Sequence, residues 1–192
     1  MTRTHLLACL LLGSSAAFAQ TPANTVQRDV NQQQRIEQGL QSGALSTQEA
    51  ARLERQESRV DQMQTRALKD GTLTSTEQAR LGRAQNKVSR DIHGAKHNGI
   101  TGNPQSASSQ RMQADVQRNV NQEQRIANGM SSGALTNHEA ARLERGQSKV
   151  AQAQARAGRD GHVGAHEQAH VQRAENHQSR RIFRQKHDAQ HN

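Results

Sequence analysis

The chain has 192 residues, with 26 Lys and Arg against 17 Asp and Glu, a formal net charge of +9 and a mean hydropathy of −1.01. It has no Trp or Tyr, two Phe and one Cys. This composition argues against a disulfide scaffold, against thiol chemistry and against base stacking, and it lies near the range in which chains fail to bury a core.

Residues 1–19 read as a secretory signal peptide. Arg3 and His5 form a short polar head, Leu6 to Leu12 an apolar run, and Ala17-Phe18-Ala19 a cleavage site before Gln20. The run is too short to span a membrane. Leu6-Leu7-Ala8-Cys9 has the outline of a lipoprotein box, but too little apolar sequence precedes Cys9. The expected product is periplasmic or secreted, has no transmembrane span, and carries a net charge of +8 from 25 cations and 17 acids. Removing the signal takes away the only Cys and leaves Phe183 as the one aromatic residue besides histidine.

After a polar lead-in, Val26, Val30, Ile36 and Leu40 share one helical arc, which predicts a first helix from about Val26 to Gln38. The stretch from Arg35 to Val60 then supplies a Gly turn, an apolar residue, a cap and an amphipathic helix. In Ser46-x-x-Glu49 each side chain satisfies an orphan N–H at a helix start, and Thr74/Glu77 and Thr136/Glu139 repeat the pattern. In a fourth copy Gly164 takes the cap position while Glu167 is kept. Gly43, Gly71, Gly133 and Gly161 each stand three residues before a cap, where the preceding helix must stop. The Gly-to-Glu spacing also fits half of a calcium loop, but Arg66 and Gln38 occupy places where such a loop needs carboxylates.

A second helix follows Ser46, with Ala50, Leu53, Val60 and Ala67 in a stripe that Glu57 and Gln64 interrupt. A third follows Thr74, with Leu81, Ala84, Val88, Ile92 and Ala95 on one side. Residues 98–113, rich in Gly, Ser and Asn, read as a flexible linker. Residues 116–188 then repeat 26–98 without a gap; 40 of the 72 residues from Val26 to His97 are identical 90 positions on. The predicted architecture is all-α, two homologous three-helix units at 20–97 and 114–192. They pack on each other, on a second copy as a homo-oligomer, or on neither. The last helix of the second unit reads as weaker, because Gln178 replaces Val88 and Val171 replaces Leu81.

No catalytic constellation stands out, so a non-enzymatic role is expected. Glu49 and Glu54 read as capping and surface-pair residues, such as Glu49 with Arg52. Histidine is unevenly distributed: seven of the nine after the signal lie from His138 onward. His166 and His170, four apart on one helix face, form a candidate chelate for zinc, copper or nickel, with His162 a turn earlier and His177 two turns later. The first unit has Thr72, Thr76, Arg80 and Lys87 in those places, and solvated polar residues explain the histidines equally. The basic excess points to an acidic partner. For an exported chain that partner is an anionic envelope component or an acidic or unfolded client, with no nucleic acid expected. The candidate contacts are Arg35, Arg52, Arg55, Arg125, Arg142 and Arg145. Arg mixed with Glu and Gln along a helix is also how a plain solvated face reads.

Leu45-Ser46-x-x-Glu49, Leu73-Thr74-x-x-Glu77 and Leu135-Thr136-x-x-Glu139 resemble the L-T-x-x-Q signature of small periplasmic stress proteins, the Spy and CpxP group, with Glu in place of Gln. That resemblance, confined to the caps and the overall character, implies an all-helical, exported, chaperone-like stress protein with zinc-binding relatives. The longer pattern R-I-x-x-G-x-x-S-G-x-L-[ST]-x-x-E-A-A-R-L-E-R resembles a repeat of exported proteobacterial proteins and implies no activity. The leading expectation is a non-enzymatic envelope binding or stress protein that uses basic amphipathic helices. Divalent-metal binding or buffering through the His-rich second unit and a structural helical spacer are the alternatives.

Overall fold

The structure, a computed structural model, describes residues 21–188; the expected signal peptide lies outside them. Six α-helices follow in order: α1 (Pro22–Ser42), α2 (Thr47–Ala67), α3 (Ser75–Lys96), α4 (Ala107–Ser131), α5 (Asn137–Ala157) and α6 (Ala165–Lys186).

Local chemistry sets where these helices begin and end. Gly43, Gly71, Gly133 and Gly161 all take left-handed φ angles of 76–89°, which only glycine adopts without strain. Behind the first turn of each repeat the chain doubles back closely. The Leu45 N–H donates to the Gly39 carbonyl at 2.9 Å, and Leu135 to Gly129 likewise. A Cβ on Gly39 would lie 2.5 Å from the Leu45 side chain, so glycine is required inside α1. The reciprocal caps form at Ser46/Glu49, Thr74/Glu77 and Thr136/Glu139. At Gly164 the side-chain half is missing, yet its N–H still donates to Glu167 at 2.6 Å. Helix α4 begins at Ala107, inside the stretch that composition marks as linker, because Ser106 caps it and accepts from the Ser109 N–H at 3.1 Å. The connection ahead of it docks on the first turn, the Gly102 N–H donating to the Gly43 carbonyl at 2.8 Å.

The two repeats lie against each other along their lengths. Helix α2 runs antiparallel to α5. Gln48 at its start donates to the Arg159 carbonyl at 3.1 Å, while Asn137 at the start of α5 donates to the Gly71 carbonyl at 2.9 Å. Midway, the equivalent residues Ser58 and Ser148 meet, the Ser148 hydroxyl donating to the Ser58 carbonyl at 2.9 Å. Helix α1 is likewise antiparallel to α4, Gln124 in the second half of α4 donating to Gln27 near the start of α1. Helices α3 and α6 cover the flanks. Apolar contacts cross the repeat boundary at both ends: Ile36, Leu40 and Leu45 cluster with Met112 and Val116, and Val26 clusters with Ile126, Leu135 and Leu143. A third, smaller cluster joins Leu68 to Ala140 and Ala141, so the sparse apolar residues fill three separate clusters, each drawing on both repeats. Gln178 is buried in the space opened by Gly146 and donates to the Leu143 carbonyl at 2.9 Å, so this side chain holds α6 on α5.

Candidate functional site

Sequence alone leaves the charges interleaved; tertiary structure sorts them. Eleven of the 17 Asp and Glu residues are buried, and none of the 25 Lys and Arg among the described residues is. In Arg52-Leu53-Glu54-Arg55 both arginines are exposed while Glu54 is wholly buried, and Arg142-Leu143-Glu144-Arg145 repeats this. The sequence-based assignment of Glu54 to the surface is therefore corrected: its carboxylate faces inward and accepts from Gln33 at 3.1 Å. Glu49 does cap its helix and also accepts from Asn98 at 2.7 Å. Glu57 and Gln64, which interrupt the α2 stripe, are likewise interior.

The outcome is an acidic interior within a basic shell. Desolvation pushes the carboxyls of Asp29 and Asp115 up to about 7, and those of Glu54 and Glu175 up to about 8. Glu57, Asp61, Glu123 and Glu144 are held well above the ordinary carboxylate range, first by burial and then by the charges of neighbouring acids, Asp29 and Glu54 among them. Amide side chains cushion part of this seam: Gln64 and Gln85 both donate to Asp29, the latter at 2.7 Å. Each buried acid that stays protonated leaves the whole protein one charge more positive than its formal charge.

Four arginines of that shell gather where α5 and α6 meet. Arg181 donates to the Arg142 carbonyl at 2.9 Å, and partial burial together with Arg145, Arg184 and Arg142 lowers its affinity for its proton. Alongside lies a groove of about 480 Å³ lined by Arg125, Ser179, Arg180, Phe183 and Arg184. Phe183 is 57 % exposed and stacks on His187 with ring centroids 4.2 Å apart. The first repeat has Asp91, His93 and Gly94 where the second has Arg181, Phe183 and Arg184, and Asp91 there pairs with Lys87 at 2.5 Å. The groove is therefore peculiar to the second repeat.

The arginines singled out from the sequence fall into three settings. Arg52, Arg55, Arg142 and Arg145 are exposed, the last two beside the α6 cluster. Arg125 is half-buried and lines the groove. Arg35 is also half-buried, its guanidinium donating to the Ser89 hydroxyl at 2.7 Å. Sequence reasoning missed Arg180, Phe183 and Arg184; Arg180 matches Arg90 of the first repeat, but Phe183 and Arg184 replace His93 and Gly94, and that change beside the kept Arg125, Ser179 and Arg180 was the available signal. Among the histidines, His166 and His170 border a shallow depression with Arg156 and Glu167, His162 stands in the preceding turn, and His177 is exposed on α6. Among the described residues, the one group of three or more potential metal ligands is instead Asp61, Glu123 and Glu144, all buried. No described helix is long and apolar enough to cross a membrane. Set against models of protein families, curated proteins and solved structures, the chain matches none of them.

Proposed function

We propose that this chain is a non-enzymatic binding protein of the cell envelope that engages an anionic, partly apolar envelope component through the basic groove between α4 and α6. The observation that carries this reading is the sorting of charge: most acids sit inside, the arginines stay outside, and three of them line a groove with one exposed aromatic residue. Guanidinium groups recognise phosphate and carboxylate oxygens through charge-assisted hydrogen bonds, and Phe183 offers apolar area beside them. Export rests on residues 1–19, which fit a cleaved signal. An exported chain with this surface would meet anionic headgroups before it met nucleic acid.

The test is co-sedimentation of residues 20–192 with phosphatidylglycerol-containing vesicles and with neutral phosphatidylcholine vesicles. Binding is expected on the anionic vesicles alone and should weaken at least tenfold between 50 and 300 mM salt, as screening requires. Arg180→Ala/Arg184→Ala should weaken it several-fold more than Arg52→Ala/Arg55→Ala. Equal binding to both vesicle types, or no binding to either, would overturn the reading.

A further inference from the structure

Four acids occupy the middle of the bundle with no cation among them. Asp61 on α2, Glu123 on α4 and Glu144 on α5 are each at most 3 % exposed, and one carboxylate oxygen from each lies within 4.8 Å of the others. Oxygen ligands sit about 2.0–2.6 Å from a bound Mg²⁺ or Ca²⁺, so two on opposite sides of one ion lie about 4–5 Å apart. The triad has the span of a coordination shell.

A second observation concerns a side chain outside the triad. Glu57, one turn before Asp61 on the same buried side of α2, is 1 % exposed, and neither of its oxygens has a hydrogen-bond partner. Its charge acts on Glu123 and Asp61 as well as on Asp29 and Glu54, so it belongs to the same buried field of acids. Neither oxygen of Glu144 is hydrogen-bonded either. The charged groups facing the site are Asp29, Glu54 and Glu57, with Arg35 as the one cation whose charge reaches Glu57, and Arg35 is already engaged by Ser89. Buried acceptors without donors are costly unless something positive joins them.

We propose that Asp61, Glu123 and Glu144, supported by Glu57, form a buried site for one hard divalent cation. The donor set is all oxygen, which suits magnesium, calcium or manganese rather than the softer ions that imidazoles favour. The site takes Asp61 from the first repeat and the other two ligands from the second. Its symmetry mate would use Ala151, Gln33 and Glu54, which cannot hold an ion in the same way. One ion per chain follows, and the site exists only while the two repeats are closed on each other. This holds whether or not the surface groove binds an anion.

Because the site is enclosed, residues 20–192 should be refolded by dialysis from urea at pH 7.5 with Mn²⁺, then desalted and assayed for retained metal and melting temperature. The expected result is one Mn²⁺ per chain and a raised melting temperature, with proton release on binding seen as a dependence of calorimetric heat on the buffer. Glu144→Gln and Asp61→Asn should each remain helical, since they remove a buried charge at nearly constant shape, and should each lose at least tenfold in Mn²⁺ affinity. His166→Ala/His170→Ala should bind as the parent does. No retained manganese and no thermal shift would overturn the proposal. Retention by the Glu144 and Asp61 variants, or its loss in the histidine variant, would place the ion elsewhere and overturn it equally.

Discussion

Residues that interrupt a pattern proved the most informative. Glu57 and Gln64 break the α2 stripe in the sequence, yet both belong to the interior, because the interior itself is partly polar. Their burial follows from position on the helix and from the amides and acids presented by α1, α4 and α5, none of which lies near them in sequence. Gln178 and Gly146 form a second such case: a Cβ at Gly146 would collide with the Gln178 side chain. Gly146→Ala should destabilise the fold by about 1–3 kcal/mol, the usual cost of overpacking. Combined with Gln178→Ala, the total loss in urea unfolding should be smaller than the two single losses added. Strict additivity would show that the two positions do not communicate.

Helices here owe their limits to turns and caps rather than to propensity. The three reciprocal caps and the four left-handed glycines stand where their spacing in the sequence puts them. Thr136→Ala removes the hydroxyl that accepts from the Glu139 N–H at 3.2 Å and should cost about 1 kcal/mol, read as a lowered urea midpoint with an unchanged m-value. A change in m would mean that the cap governs more than the start of α5. The start of α4 was harder to read. Ser106 caps a stretch whose Ser and Gln content looks like linker, and Met112 and Val116 matter only because Leu40 and Leu45 of the other repeat await them.

The whole molecule behaves as one body built from two copies. Because each apolar cluster takes residues from both repeats, residues 20–97 alone should not fold as a monomer. Circular dichroism and ultracentrifugation should show either lost helicity or a dimer that substitutes a second copy for the missing repeat; a stable helical monomer would contradict the shared core. The acidic interior sets the pH response. Acids whose pKa is raised by folding contribute stability that is fully present below about pH 4 and lost as pH rises through the folded values. With Asp29 and Asp115 at about 7 and Glu54 and Glu175 at about 8, the loss should fall between pH 4 and 8. In chelator-treated, metal-free buffer the melting temperature should therefore decline from pH 5 to pH 8. A flat or rising curve would show that the interior carboxyls ionise without penalty.

By itself the sequence determined the helix count, the Gly turns, the caps, the duplication and the basic excess, since all are local or periodic properties of the chain. It did not reveal which way the charges face. An Arg-x-Glu-Arg run reads the same on a solvated helix as on one packed against a partner, and only the docking of α2 on α5 and α1 on α4 decided that glutamates turn inward and arginines outward. The groove beside Phe183 and the closely spaced acids in the core are products of that docking. Both bring together residues from helices that are far apart in the chain, and no periodicity within one helix records such a distance.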